Sequence, residues 1–168
     1  MPIKDDLAAG KEAEQRVIHI FQQHGHEAMF NPDVETRSFY DLEAIIVGEN
    51  DETIAEITLE VKNDIRALKS GNIAIEIYNP KANKASGLSI TQADLWVIMV
   101  GEELWITHTK HLESFVATAK PFRIIDCGGD KNAHLYLYKK EHIFRNIFHR
   151  FDTLTKEQFF LLILELLS

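Results

Sequence analysis

Glu60 and Lys62 lie two residues apart in the stretch 57–64, where apolar and polar residues alternate. Alternation with period two predicts a half-buried β-strand, in which every second side chain points to the same face. A carboxylate and an ammonium on one strand face can therefore share a single pocket. By itself, the same pattern also fits a solvated strand face on which the two charges neutralise each other.

A second carboxylate, Asp41, is predicted to join Glu60. Residues 38–48 form a strand pattern that ends in an apolar run, and the polar turn 49–52 precedes another strand that begins at Thr53. The two strands predict an antiparallel hairpin in which Asp41 and Glu60 are about equally far from the turn. A hairpin pairs such positions side by side. Two neighbouring carboxylates repel each other unless a cation lies between them, so the pairing indicates a cation site.

Glu14 is a third candidate. Residues 5–24 predict a helix, and Glu14 lies seven residues from both Leu7 and Phe21. At 100° per residue, such spacing puts Glu14 within about 20° of the apolar stripe. A buried glutamate needs a partner or a metal, because burying a lone charge is costly. The alternative is a glutamate at the rim of the stripe that pairs with Lys11.

The remaining pattern predicts an α/β fold in one domain, residues 1–168, because strand and helix signals alternate without a convincing linker. Residues 22–37 look irregular. Further strands are predicted at 73–78, 95–100, 104–107, 122–126 and 134–138, and further helices at 109–120, at 141–151 and from Thr155. The last helix begins with a capping box of Thr155 and Gln158.

The composition predicts an ordinary globular protein, with 168 residues, 45% hydrophobic and 26% charged. One cysteine excludes an internal disulfide, and the N-terminus lacks the apolar region of a signal peptide, so we expect a cytoplasmic protein. The C-terminal apolar run 159–164 is too short to span a membrane. The net charge of −8 argues against a broadly basic surface but permits a local carboxylate cluster beside a confined basic strip.

The sequence resembles the PD-(D/E)XK nuclease superfamily in the order and type of its candidate residues. These are Glu14 on a helix, Asp41 on a strand and the triplet Glu60-Val61-Lys62 on the next strand. Asp41 follows tyrosine rather than proline, a departure that many members share. The segment 75–96 is similar to small phage- and bacterium-encoded nucleases of this type. The resemblance covers roughly residues 5–108. It implies a restriction-endonuclease-like mixed β-sheet flanked by helices, here with an extra C-terminal β-hairpin and helices.

The resemblance also implies a Mg²⁺-dependent endodeoxyribonuclease that acts on DNA, with branched or phage-related DNA as candidate substrates, and leaves 5′-phosphate and 3′-hydroxyl ends. Asp41, Glu60 and the Val61 carbonyl would hold one Mg²⁺ or Mn²⁺ ion. Lys62 would orient the attacking water or neutralise charge, and Glu14 would contact a second ion. Metal ions held by carboxylates can activate water and stabilise a phosphate in this way.

The loop that follows the third strand carries candidates for DNA backbone contacts, because lysines and hydroxyls bind phosphates without reading sequence. These candidates are Lys81, Lys84, Ser86 and Thr91. For the two lysines, a solvated loop is the alternative. Glu76, on the strand before this loop, is a weaker candidate for the site, and the surface alternative is favoured for it.

Two further hypotheses stay open. The same fold can serve as a binding or assembly module without turnover, and the apolar C-terminal helix would suit a homodimer interface. The chain can also be an RNA-cutting member of the superfamily. No feature of the sequence predicts a membrane partner.

Overall fold

The computed structural model describes residues 3–127 and 132–168, with side chains from residue 8 onward. The helices are α1 Ile3–Gln23, α2 Ala67–Ser70, α3 Thr109–Thr118, α4 Lys140–Ile147 and α5 Lys156–Leu167. The strands are β1 Glu27–Phe30, β2 Leu42–Val47, β3 Thr53–Asn63, β4 Asn72–Asn79, β5 Lys84–Ala85, β6 Leu95–Val100, β7 Glu103–His108, β8 Arg123–Cys127, β9 Ala133–Lys139 and β10 His149–Arg150.

The larger sheet has six strands in the order β1-β2-β3-β6-β7-β10. Its neighbours are antiparallel except for β3 and β6, which run parallel. The predicted β2–β3 hairpin is confirmed, with Leu42 opposite Leu59 as its last ladder pair before the chain ends diverge. Because a parallel pair needs a long crossover, residues 64–94 leave this sheet before β6 returns to it. The mixed sheet predicted from the sequence is therefore present.

The crossover supplies two strands of a second sheet, ordered β5-β4-β9-β8. The predicted C-terminal hairpin forms from β8 and β9, but β9 also pairs with β4, from Asn72 opposite Lys139 onward. The hairpin is thus part of a second sheet rather than an appendage of the first. The glycine turn expected at 128–130 lies outside the described residues.

Strand β6 separates two apolar cores, and all six of its residues are buried, as its continuous apolar run predicts. Leu95, Val97 and Met99 belong to the core that α1 and α5 cover. Trp96 and Ile98 belong to the opposite core, together with residues of β4, α3 and α4. The molecule is accordingly a mixed α/β fold with two sheets flanked by helices.

Two short strands differ from the expectations. Residues 22–37, predicted as irregular, contain β1, and the helix predicted at 141–151 ends at Ile147 and is followed by β10. Both strands lie at edges of the larger sheet, and β10 has only two residues. Strands of two to four residues give no sustained alternation, so periodicity cannot detect them.

The capping box at α5 is confirmed, with the Thr155 side chain and Gln158 bonded reciprocally. The apolar face of α5 packs into the chain's own core through Phe159, Ile163 and Leu166. Leu161, 58% exposed, is the large apolar side chain that α5 presents to solvent. A homodimer through this helix stays a prediction. No helix among the described residues is long and apolar enough to span a membrane.

Candidate active site

The site begins where the β2–β3 ladder ends. Beyond the last pair, the Asp41 main-chain N–H donates to the Leu59 carbonyl at 2.9 Å. The Asp41 Oδ2 accepts a hydrogen bond from the Val61 N–H at 2.8 Å. A side chain thus takes the place of a main-chain partner, and this bond fixes the Asp41 carboxylate beside the middle of the predicted triplet.

The carbonyl oxygen of Val61 points to the same side of β3 as the Val61 N–H. In a β-strand, the N–H and C=O of one residue point to the same side. Since the Val61 N–H points to Asp41, its carbonyl oxygen also points to the side on which Asp41 lies. The Val61 side chain is buried in the core beneath α1, so main-chain atoms are what this residue offers to the site.

Glu60 and Lys62 occupy the opposite face of β3 from Val61, and their side chains form an ion pair through Glu60 Oε1 and Lys62 Nζ. The Glu60 side chain is 10% exposed and the Lys62 side chain 42% exposed. Lys62 Nζ also lies 5.6 Å from the centre of the Trp96 ring, which is close enough for a cation–π contact. The predicted proximity of Glu60 and Lys62 is confirmed, and the ring of the buried Trp96 contacts the lysine ammonium.

Helix α1 brings Glu14 to the same place. The helix is held against the end of β3 by a hydrogen bond from Asn63 Nδ2 to the Ala9 carbonyl at 2.9 Å. Burial raises the pKa of Glu14, and the negative charge of Asp41 raises it further, against the charges of Lys62 and Lys11. Lys11 therefore acts to lower the pKa of Glu14, in line with the alternative in which these two side chains pair. Asp41 and Lys62 also act electrostatically on this carboxylate.

The charges of the site do not balance. Burial raises the pKa of Glu60, and the charges of Asp41 and Glu14 raise it further, so that the opposing effect of Lys62 is outweighed. Three carboxylates face one ammonium here, and when all are ionised the excess charge is about −2 by this count. A divalent cation would neutralise that excess.

The oxygen donors suit a hard cation such as Mg²⁺, which is commonly bound by one or two carboxylates and retains several waters. Among the described residues, no group of three or more His, Cys, Asp or Glu side chains is spaced to hold a metal ion. Asp41, Glu60 and the Val61 carbonyl would therefore form a site of two carboxylates and one main-chain oxygen. The chemistry of this donor set and its excess negative charge fit a divalent ion.

The candidates for DNA backbone contacts divide into two groups. Lys81 and Lys84 are exposed on the β4–β5 connection and on β5. The hydroxyls have partners within the chain, since Ser86 Oγ donates to Glu76 Oε1 at 2.7 Å and Thr91 Oγ1 donates to the Phe39 carbonyl at 2.8 Å. Contacts between these four residues and DNA remain predictions.

Sequence reasoning missed Asn31, which is 1% exposed and organises the loop before Asp41. Its side-chain oxygen accepts from the Asp33 N–H at 2.9 Å, and its amide donates to Thr36 Oγ1 at 3.1 Å. The same amide donates to the Tyr40 carbonyl at 3.2 Å, and the Asn31 N–H donates to the Asp41 carbonyl at 2.9 Å. The Asn-Pro-Asp motif predicts a turn of this kind, but not its connection to Asp41.

No protein-family model and no curated protein matches the sequence. Among solved structures, the chain is similar to a bacterial homing endonuclease, I-Ssp6803I, with 19% sequence identity and a TM-score of 0.47. The match covers 64% of this chain and 71% of that chain. Similarity at this level assigns neither a family nor an activity, so a functional conclusion must rest on the chain's own residues.

Proposed function

We propose that the protein is a metal-dependent endonuclease that hydrolyses DNA phosphodiester bonds, with a PD-(D/E)XK site on a restriction-endonuclease-like core. The observation that carries the proposal is the position of Asp41 and Glu60. They follow the last pair of the β2–β3 hairpin, with Lys62 bonded to Glu60 and the Val61 main chain bonded to Asp41. Two carboxylates, a main-chain oxygen and a lysine thereby meet at one edge.

Hydrolysis requires that a water oxygen forms a bond to phosphorus while the bond to the 3′ oxygen breaks, leaving a 5′-phosphate and a 3′-hydroxyl. Asp41, Glu60 and the Val61 carbonyl would hold a Mg²⁺ or Mn²⁺ ion, with Glu14 near a second. When bound, such an ion lowers the pKa of a coordinated water and stabilises negative charge on the phosphate.

The chain's own residues supply the remaining requirements. Lys62 Nζ carries a positive charge beside the carboxylates, where it can donate a hydrogen bond to the attacking water or to a phosphate oxygen. Trp96 beneath it restricts the directions in which the ammonium can point. Asn31 ties the loop to the Asp41 main chain, which keeps the carboxylate in register with Val61.

The test is a cleavage screen with the purified protein and Mg²⁺ or Mn²⁺ on duplex, single-stranded, flap and four-way DNA, with RNA in parallel. A supercoiled plasmid reports endonuclease action, because a single internal cut converts it to the nicked form. Asp41→Asn and Lys62→Ala should abolish the activity, and a chelator should do the same. If the wild-type protein leaves all these DNA substrates intact, the proposal is wrong.

One observation favours a second candidate, a nucleic-acid-binding or assembly module without turnover. The Lys62 ammonium already neutralises Glu60, and a stable ion pair of this kind would suffice for a purely structural strand face. DNA binding without divalent-metal binding in calorimetry would support this candidate. Cleavage restricted to RNA would instead indicate an RNA-cutting enzyme.

A further inference from the structure

The chain between β3 and β4 exposes apolar and basic side chains next to each other. Ile65 is 37% exposed and Leu68 is 62% exposed. Arg66 and Lys69 are interleaved with them, and both are exposed. Neither basic side chain forms a hydrogen bond or an ion pair with another residue that the structure describes. A single exposed leucine is ordinary in a folded protein, whereas two exposed apolar residues among two exposed cations form a mixed surface, the 65–69 segment.

The main chain of the 65–69 segment is held in place by Asp64. Its Oδ1 accepts the Ala67 N–H at 3.0 Å, and its Oδ2 accepts the Ala74 N–H at 3.0 Å. The Asp64 N–H donates to the Met99 carbonyl at 2.9 Å, which ties the start of the segment to the end of β6. The exposed side chains are therefore presented by a fixed backbone, and a fixed backbone lowers the entropic cost of binding a partner.

Helix α2, which contains Leu68, lies on the same face of the larger sheet as Lys62. Lys62 is in register with Ile98 of β6, and neighbours in register point to the same face. Ile98 and Ala67 belong to one buried cluster, so the buried side of α2 packs on that face. The Leu68 side chain lies against the β6–β7 turn, since its Cδ2 is 3.1 Å from the place of a Cβ on Gly101.

The charge of this region favours a polyanion. Although the whole chain has a net charge of −8, the crossover between Asp64 and Asp94 contains one acidic residue, Glu76. Its basic residues are Arg66, Lys69, Lys81 and Lys84. The turn beside Leu68 is balanced in charge, because Arg16 Nη1 lies 3.1 Å from Glu102 Oε2. Lysine and arginine contact the phosphates of DNA, whereas apolar side chains contact its bases.

We propose that the 65–69 segment is a DNA wedge, in which Leu68 inserts between two neighbouring base pairs while Arg66 and Lys69 contact phosphates beside them. This inference rests on the proposed function and gives it a substrate class, duplex DNA in which stacking is already weakened by a mismatch or a branch point. An apolar wedge unstacks and kinks the duplex, and the cost of unstacking is lowest where pairing is already broken.

The wedge and the phosphate contacts have separate signatures in DNA binding. The protein should bind a duplex with a central mismatch about tenfold more tightly than the matched duplex, because the mismatch already meets part of the unstacking cost. Leu68→Ala should bind the two duplexes with nearly equal affinity, and Leu68→Met should keep the preference. Arg66→Ala combined with Lys69→Ala should weaken binding to both duplexes equally. That variant should also reduce the slope of log K against log salt by about 1.8, since each phosphate contact contributes about 0.9.

The experiment is fluorescence anisotropy with the two labelled duplexes, carried out with Mg²⁺ in the Lys62→Ala background so that bound DNA stays intact. A fluorescent adenine analogue beside the mismatch should brighten as its base unstacks, and Leu68→Ala should abolish this signal. Leu161→Ala is the matched control for the wedge, because Leu161 on α5 is 58% exposed. Lys110→Ala combined with Lys120→Ala removes the same charge from exposed positions at α3 and should leave the salt slope unchanged.

The outcomes separate this proposal from the proposed function. If the wild type cleaves DNA but Leu68→Ala keeps the preference for the mismatched duplex, only the wedge is overturned. Equal binding of both duplexes before any change at Leu68 overturns it too, as does an equal loss of preference in Leu161→Ala. If the wild type neither binds nor cleaves any DNA, the proposed function fails and the wedge fails with it.

Discussion

The two faces of β3 serve different purposes. On the face beneath α1, Ile57, Leu59 and Val61 are at most 5% exposed and belong to one apolar core. On the other face, the strand carries Glu56, Thr58, Glu60 and Lys62 in alternation with those core residues. Packing of the apolar face fixes the position of the strand. The opposite face carries charged groups that a closed core would not accept.

The polar face continues across the neighbouring strands in register. Glu27 of β1 lies opposite Ile45, and Ile45 lies opposite Glu56. In the next row, Glu43 lies between Met29 and Thr58. Asp41 and Glu60 lie beyond the last ladder pair, Leu42 with Leu59, so carboxylates extend from the outer strands to the site. DNA approaching this part of the sheet would meet like charge.

The largest effect should come from the packed face. Leu59→Ala removes a fully buried side chain and should lower the free energy of unfolding by about 2–5 kcal/mol. Chemical denaturation measures this loss. At a temperature where the variant is still folded, its Mn²⁺ affinity should equal that of the wild type. A large loss of metal affinity in the folded variant would show that the two faces are not independent.

Asp41→Asn tests the polar face. The amide oxygen can still accept the Val61 N–H, so the fold should be retained while the charge is lost. Plasmid nicking should fall at least about 100-fold, the scale for removing one group that stabilises charge in a transition state. Thermal unfolding is the control, and wild-type nicking by this variant would contradict the assigned role of Asp41.

Charge reversal along the acidic rows should have a smaller, opposite effect. Glu43→Lys combined with Glu56→Lys should strengthen DNA binding about tenfold at low salt, and the gain should shrink as salt screens the new charges. Fluorescence anisotropy with labelled duplex measures the affinity. Glu157→Lys combined with Glu165→Lys on α5 is the matched control, because it adds the same positive charge on the side of the sheet that the helices cover. An equal gain from this control would show that only net charge matters.

The smallest expected effect is a pH dependence of stability that arises from His26. His26 is 4% exposed, and its Nδ1 accepts the Val47 N–H at 3.2 Å. Burial, followed by the charges of His24 and Lys156, lowers its pKa. Because the folded state disfavours the protonated ring, stability is retained above the ordinary histidine pKa of about 6.5 and is lost as pH falls through the lowered value.

Replacement of this ring isolates its contribution. His26→Asn keeps a side-chain acceptor for Val47 but has no titrating group. The free energy of unfolding should decline between about pH 7 and pH 5 in the wild type, and less steeply in the variant. Denaturation curves at several pH values provide the slopes. Equal slopes would mean that His24 or His108, whose pKa values are also lowered by burial, dominates the decline.

Local patterns predicted the parts of the fold in which partners are close in sequence. The turn at 49–52 and the alternation on each side predicted the β2–β3 hairpin, whose end brings the Asp41 carboxylate to the Val61 N–H. The second sheet was not predicted, because β4 pairs with β9 across a long stretch of chain and alternation does not identify a strand's partner. How the crossover packs against the larger sheet is likewise not encoded in any local pattern.

The crossover between β3 and β6 also has a consequence for folding order. Glu14 and Glu60 belong to α1 and β3, and Asp41 directly precedes β2. The contacts among these elements form between neighbouring segments and can be made early. Strand β4, which carries Glu76, pairs with β9, so its sheet cannot be completed until the chain as far as Lys139 is available. During synthesis from the N-terminus, the mutually repelling carboxylates would be assembled first. The second sheet would be completed only near the end.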